Sequence, residues 1–449
     1  MIPRLVVAGT SSGAGKTTVA CGLIGALRRR GLTVQGFKVG PDYIDPSHHA
    51  LAAGRPGRNL DAFLSGTELI APLVRHGSAG ADIAIIEGVM GLFDGASGRG
   101  ELASTAQVAK LLDAPVVLVL DASAMARSAA AMVHGFATFD PDLRVAGILF
   151  NKVGSDTHEQ LLRDAVADSG LPVLGALRRD PRVVTPERHL GLVPVAEREA
   201  QARAALDALA EAIATHADLD ALVRLAGSAP QTPGPVWSPA GDTPPVAART
   251  RIAIARGPAF SFHYQENLEL LTGAGAQLVA FDPLADAALP AGTGALVLAG
   301  GFPEIFGEAL TANTPLREDI RRFAAAGRPI LAECGGLLYL CDELDGHAMC
   351  GVLPARASMT GRLTLGYREA VAATPTPWLA AGTRLRGHEF HYSKVETLDA
   401  RAAPAWQLTA AGRQRPEGVA RGGIQAGYLH VHWAAHPEIA HAFASAAAA

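Results

Sequence analysis

The segment Gly9-Thr10-Ser11-Ser12-Gly13-Ala14-Gly15-Lys16-Thr17-Thr18 limits the fold of this chain more than any other. A short apolar run, Leu5–Ala8, precedes it. A helical stretch, Thr17–Arg30, follows, with Arg28, Arg29 and Arg30 in its last turn and Gly31 as its stop. Strand, small-residue loop and helix N-terminus in that order let backbone N–H groups curl around phosphate oxygens. Lys16 is then placed to reach terminal phosphates, and the Thr17 hydroxyl to join a Mg²⁺ shell. Thr10 through Thr18 are thus the expected ATP-binding residues. The loop is a variant, because the strict spacing puts glycine where Thr10 stands, and Gly9 lies one step earlier.

Such a loop belongs to a parallel sheet, and the pattern around it agrees. Thr33–Phe37, Asp82–Ile86, Pro115–Leu120 and Val145–Phe150 read as buried strands. Helical stretches at Thr67–Arg75, Leu102–Leu112, Ala124–Ala137 and Asp156–Ala167 lie between them. Alternation of this kind predicts an α/β domain with helices on both faces of the sheet. The chain has 449 residues, too many for one compact core. The stretch GSAPQTPGPVWSPAGDTPPV interrupts the pattern and reads as a linker. After it come strand-like Arg251–Ala255, Gln277–Phe281, Ala295–Leu298 and Pro329–Ala332, with helices at Tyr264–Gly273 and Leu316–Ala326. The expected division is a nucleotide domain over 1–226, a linker over 227–249 and a second α/β domain over 250–449.

Ligands of parallel sheets gather at the carboxyl ends of strands. Two acidic segments fall there: Gly40-Pro41-Asp42-Tyr43-Ile44-Asp45-Pro46 and Glu87-Gly88-Val89-Met90-Gly91-Leu92-Phe93-Asp94-Gly95. Mg²⁺ prefers hard oxygen donors. Asp45 and Glu87 are the expected carboxylate ligands beside Thr17, and Asp42 is close behind. Glu87 ends the apolar run Ile83–Ile86, where a carboxylate needs a partner. Asn151, at another strand end, is placed to contact the adenine.

A second chemistry lies in Ala332-Glu333-Cys334-Gly335-Gly336-Leu337, a strand, sharp turn and helix. A cysteine at such an elbow is expected to expose its sulfur at a helix N-terminus and to favour thiolate. The N–H groups of Gly335, and of Gly301 in Ala299-Gly300-Gly301-Phe302-Pro303-Glu304, can face an oxyanion. The base is expected from Gly427-Tyr428-Leu429-His430-Val431-His432-Trp433, as His430 or His432. Cys21, Cys341 and Cys350 read as core packing.

Taken together, these motifs resemble the cobyrinic or hydrogenobyrinic acid a,c-diamide synthases over nearly the whole chain. The resemblance implies a dethiobiotin-synthetase-like ATP domain followed by a class I-type glutaminase domain. It implies amidation of the a and c acetates of a corrin during cobalamin synthesis, through an acyl phosphate attacked by glutamine-derived ammonia. By resemblance Cys334 is the glutaminase nucleophile. The chain departs from class I glutaminases in two places: Glu333 replaces a small residue, and His432 stands where the orienting carboxylate is usual. The segment Gly387-His388-Glu389-Phe390-His391-Tyr392-Ser393 is a further hallmark, and Tyr43, Asp42, His388 and Tyr392 are the expected substrate contacts.

Two other readings remain open on sequence alone. One is an amidoligase acting on another tetrapyrrole, such as a nickel sirohydrochlorin. The other is a partition-type ATPase with a non-catalytic second domain, against which Ser11 weighs, since that class carries lysine at this position. The net charge of −4 without basic blocks argues against nucleic acid or an anionic membrane as partner. Four cysteines in no disulfide or zinc spacing suit the cytoplasm. No apolar run reaches membrane-spanning length, and a homodimer is the expected assembly.

Overall fold

A computed structural model describes residues 1–180, 187–188, 191–231, 233–241, 244–246, 250–397, 399, 402–410 and 412–449. The chain divides into two compact units, Met1–Trp237 and Ser238–Ala449. Parts of the expected linker lie outside the described residues. Trp237, within it, is buried in the first unit: its N–H donates to the Pro72 carbonyl and its ring meets His76 edge-on.

In the first unit the elements run β1 (Arg4–Gly9), α1 (Lys16–Arg29), β2 (Val34–Val39), α2 (Ile44–Ala53), β3 (Arg58–Leu60), α3 (Thr67–Gly77), β4 (Ile83–Glu87), α4 (Thr105–Leu111) and β5 (Val116–Asp121). They continue with α5 (Ser128–Thr138), β6 (Val145–Val153), α6 (Asp156–Val166), β7 (Val173–Arg178), α7 (Glu199–His216) and α8 (Leu219–Gly227). The seven strands form a parallel sheet in the order β3-β2-β4-β1-β5-β6-β7. Central strands β1 and β4 are buried along their length, which explains their unbroken Val/Ile/Leu/Ala content. On one face Val19, Leu23 and Leu27 of α1 pack with Leu206, Leu209 and Ile213 of α7. β1 sits at the centre, so its loop and the ends of its neighbours β4 and β5 converge. There the strand order reverses, the usual site of a ligand crevice.

The second unit begins with β8 (Arg251–Ala255), α9 (Gln265–Gly273), β9 (Gln277–Phe281), β10 (Thr293–Leu298), α10 (Thr314–Ala325), β11 (Ile330–Glu333) and α11 (Gly335–Leu340). Then follow β12 (Cys341–Leu344), β13 (His347–Ala348), β14 (Leu353–Ala372), β15 (Arg384–Thr397), β16 (Trp406–Ala410) and β17 (Arg413–Glu417). The last elements are β18 (Val419–Arg421), β19 (Ile424–Gly427), β20 (His430–Val431) and α12 (Pro437–Ala448). One sheet has the order β9-β8-β10-β11-β19-β18, parallel except at β18. A second is built on the long antiparallel pair β14–β15, with β12 and β20 at its flanks. The core between them collects Leu296, Leu298, Ile330, Leu337, Leu340, Leu353 and Ile424.

Candidate active sites

The first unit's loop follows β1 and enters α1 through Gly15, whose φ of 96° is in the left-handed region. A Cβ there would lie 2.0 Å from Asn151 Nδ2. Asn151 Nδ2 donates to the Ala14 carbonyl at 3.1 Å, so its observed contact is with the loop backbone. Lys152, also at positive φ, adds a bond to the Gly13 carbonyl and pairs with Asp121.

Lys16 Nζ lies across the loop, donating to the carbonyls of Ser11 and Met90 at 3.0 and 2.5 Å. Burial, and then the charge of Lys38, pull its pKa down to about 8. Thr17 Oγ1 donates to Glu87 Oε1 at 2.6 Å, joining the helix start to the end of β4. Thr10, Ser12 and Thr18 complete this strand–loop–helix segment.

Glu87 is wholly buried and accepts from Lys38 Nζ at 2.7 Å; His49 Nε2 lies 2.6 Å from its other oxygen. Lys38 Nζ also pairs with Asp45 Oδ2 at 2.6 Å. Burial alone would raise Glu87, but Lys38 and His49 hold it well below the usual carboxylate range. Asp45 is pushed up by burial and by the neighbouring Asp42 charge, against the pull of Lys38. Asp42 itself acts locally, since its Oδ1 accepts the N–H groups of Ile44 and Asp45 at the start of α2. The Tyr43 ring is buried beside it.

Lys38 and His49 were not among the residues expected from sequence. The signal was present in Gly36-Phe37-Lys38-Val39, a lysine inside an apolar buried strand, which requires an opposite charge.

In the second unit Cys334 stands between β11 and α11 at φ 49°. A side-chain-bearing residue in that region stores about 1–3 kcal/mol of strain. Its N–H donates to the Gly427 carbonyl, which fixes the elbow to β19. The expected exposed sulfur is not found. Cys334 is only 4% exposed, and its thiol lies 3.7 Å from the Phe390 carbonyl of β15. Burial first, then the charge of Glu304, and also those of Glu333 and Glu417, hold the thiol well above its ordinary pKa, against the pull of the Gly335 N–H. The expected exposed sulfur is thus corrected, because β15 covers it; that burial, and then the nearby carboxylates, also work against a thiolate.

Gly335 and Gly301 are brought together: a Cβ on Gly335 would lie 3.0 Å from Gly301 N. The adjacent Gly300 touches the histidine, since a Cβ there would lie 2.7 Å from His430 Cε1. His430 is fully buried, with Nδ1 3.5 Å from Glu333 Oε2. His388 pairs with His430 across β15 and β20, and the rings stack at 5.0 Å and 18°. Tyr264 OH bonds His388 Nε2 at 2.9 Å. His432 is differently engaged: Nδ1 accepts the Ala434 N–H and Nε2 lies 3.4 Å from Glu266. Tyr392 is half-buried, and its carbonyl accepts from Thr360. Glu389 is bound by Arg368 and Arg415, while His391 stacks on Tyr428 at 3.6 Å. Cys21, Cys341 and Cys350 are buried, as their packing reading requires.

A P-loop parallel-sheet unit and a cysteine-elbow α/β unit in one chain define a two-part nucleotide-binding and glutamine amidotransferase class. Family models agree. The CobQ/CobB/MinD/ParA nucleotide binding domain matches residues 5–193, and the CobB/CobQ-like glutamine amidotransferase domain matches 251–438. The hydrogenobyrinate a,c-diamide synthase of Streptomyces coelicolor is 55% identical, over 98% of this chain and 97% of its own. That of Thermobifida fusca is 50% identical over 99% and 97%. The cobyrinate a,c-diamide synthase of Syntrophotalea carbinolica is 47% identical over 98% of each. The chain belongs to the hydrogenobyrinate/cobyrinate a,c-diamide synthase family.

Proposed function

We propose that this chain amidates the a and c acetate carboxylates of cobyrinic or hydrogenobyrinic acid, using ATP and glutamine. The observation that carries this reading is full-length identity of 55% to a hydrogenobyrinate a,c-diamide synthase, spanning both units. Relatives of that name across both units also favour it over a regulatory ATPase with an idle second domain.

In the first unit a substrate carboxylate attacks the terminal phosphorus of ATP, displacing ADP and forming an acyl phosphate. Lys16 Nζ, released from the Ser11 and Met90 carbonyls, meets the transferring phosphoryl group. The loop N–H groups and the start of α1 hold the remaining phosphates. The oxygen donors of Thr17, Asp45 and Glu87 suit a hard cation, and the hydrogen bond between Thr17 and Glu87, with Lys38 shared by Glu87 and Asp45, brings them together. These three residues would hold Mg²⁺, which when bound neutralises phosphate charge. Lys38 and His49 fix the Glu87 carboxylate at the end of β4. Asp42 and Tyr43 remain the proposed corrin contacts of the first unit and Tyr392 that of the second, whereas His388 is buried between Tyr264 and His430 and belongs to the histidine cluster instead.

In the second unit Cys334 loses its proton to His430 and its sulfur attacks the glutamine side-chain carbonyl. Gly301 and Gly335 N–H groups receive the oxyanion. His430 returns the proton to the departing ammonia, and water then frees glutamate. Ammonia attacks the acyl phosphate, giving the amide and inorganic phosphate. The cytoplasm as its location and a homodimer as its assembly complete the proposal; light scattering tests the latter.

The test is Cys334→Ala. Glutamine-dependent amidation should fall to background, while synthesis with high ammonium salt remains. Full glutamine-dependent activity in that variant would rule the assignment out.

A further inference from the structure

The second unit holds a carboxylate that the amidotransferase reading does not use. Glu333 is the last residue of β11 and pairs in register with Gly427 of β19. Three residues beyond Gly427 the chain presents His430. Adjacent strand ends thus bring Glu333 Oε2 to 3.5 Å from His430 Nδ1, an ion-pair distance to a fully buried ring. The ring is also confined on two sides, by Gly300 against Cε1 and by His388 stacked on its plane. His388 contributes no competing charge: burial, and then the nearness of His430, keep it neutral.

Three other carboxylates of this unit have partners of their own. Glu266 faces His432. Glu417 Oε1 accepts the Tyr428 N–H. Glu389 is bound by two arginines.

We propose that Glu333 is the positioning residue of the glutaminase step, holding the Nδ1–H of His430 so that Nε2 serves the Cys334 thiol. It does from the position before the nucleophile what a carboxylate two residues after the histidine does elsewhere, where this chain carries His432. The proton balance is simple. The S–H proton passes to Nε2 as the S–C bond forms, the imidazolium keeps Nδ1–H against Glu333, and the Nε2 proton leaves with ammonia. Glu333 opposes a lone thiolate by charge, yet it stabilises the imidazolium that the thiolate needs as partner. The inference rests on the reading of Cys334 and His430 as nucleophile and base.

The full-length chain carrying Glu333→Ala, Glu333→Gln or Glu333→Asp tests it, with Cys334→Ala as reference. Glutaminase kcat in Glu333→Ala should fall about 10–100-fold, with KM for glutamine within about twofold of the parent. Glu333→Asp should regain part of the loss. Alkylation of Cys334 by iodoacetamide should slow in Glu333→Ala. A carboxylate acting only by charge on the thiol predicts the opposite, faster alkylation. If Glu333→Ala does not fold, the isosteric Glu333→Gln carries the same comparison. An unchanged kcat or faster alkylation beside an inactive Cys334→Ala overturns this assignment alone. An active Cys334→Ala overturns the amidotransferase reading, and this assignment with it.

Discussion

Single residues in this chain are legible in proportion to how far their chemistry is local. Lys16, Thr17 and Cys334 announce themselves through glycine spacing, because a backbone that must curl leaves a pattern. Lys38, His49 and Glu333 do not, since their roles depend on which strands become neighbours. Lys38 meets Glu87 only because β2 and β4 pair with Lys38 opposite Glu87. Glu417 is of the same kind. It is buried at the end of β17 and accepts the Tyr428 N–H, and burial together with the charge of Glu389 raises its pKa from 4.5 to about 7. A carboxyl raised on folding contributes stability that is full below pH 4.5 and lost as pH climbs through 7. The expected cost between those limits is on the order of a few kcal/mol. Glu417→Gln keeps an acceptor for Tyr428 without the charge. Thermal melts at pH 5 and pH 8 should therefore converge in the variant relative to the parent chain; an unchanged gap would show that Glu417 titrates normally.

Elements show the same division. Hydrophobic runs located β1 and β4 closely, because strands buried on both faces must be apolar throughout; β8 and the edge strand β9 were located by their apolar residues too. α2 is masked in the sequence by Asp42-Tyr43-Ile44-Asp45-Pro46, since Asp beside Pro is commonly a turn former; in the structure Asp42 bonds the first N–H groups of the helix. α7 packs along α1 through Leu209, Ala210 and Ile213, and its alanine-rich sequence gives only a weak periodic signal. The sulfur's burial was invisible for a related reason: β15, which covers it, lies far along the chain. The elbow depends on a contact of the same long range. A Cβ on Gly336 would lie 2.1 Å from the Leu298 carbonyl of β10, and backbone cannot step aside. Gly336→Ala should thus push α11 off the sheet at a cost of about 1–3 kcal/mol or more. The check is a lowered melting temperature together with faster alkylation of Cys334, as the sulfur loses its cover. A variant that melts and reacts like the parent would show that α11 is loosely seated.

For the molecule as a whole, order along the chain separates two chemistries that the proposed reaction must join. The first unit contains the phosphate loop and the Lys38–Glu87–Asp45 cluster; the second contains Cys334 and His430. Each unit has its own apolar core. Loss of one chemistry should therefore leave the other chemically intact, and the pattern of loss is asymmetric. Without the nucleophile, ammonium salt can replace glutamine. Without Lys16, no nitrogen source helps, because the carboxylate is never activated. Lys16→Ala should accordingly abolish amide formation with glutamine and with ammonium alike, while Cys334 in that variant still reacts with a glutamine-like electrophile. The measurement is product mass after incubation with ATP, either nitrogen source and cobyrinic or hydrogenobyrinic acid, alongside covalent labelling of the intact chain. Residual diamide from Lys16→Ala with ammonium would mean that phosphoryl transfer does not depend on this loop. Loss of labelling together with synthesis would mean that the second unit requires an occupied first unit to react at all.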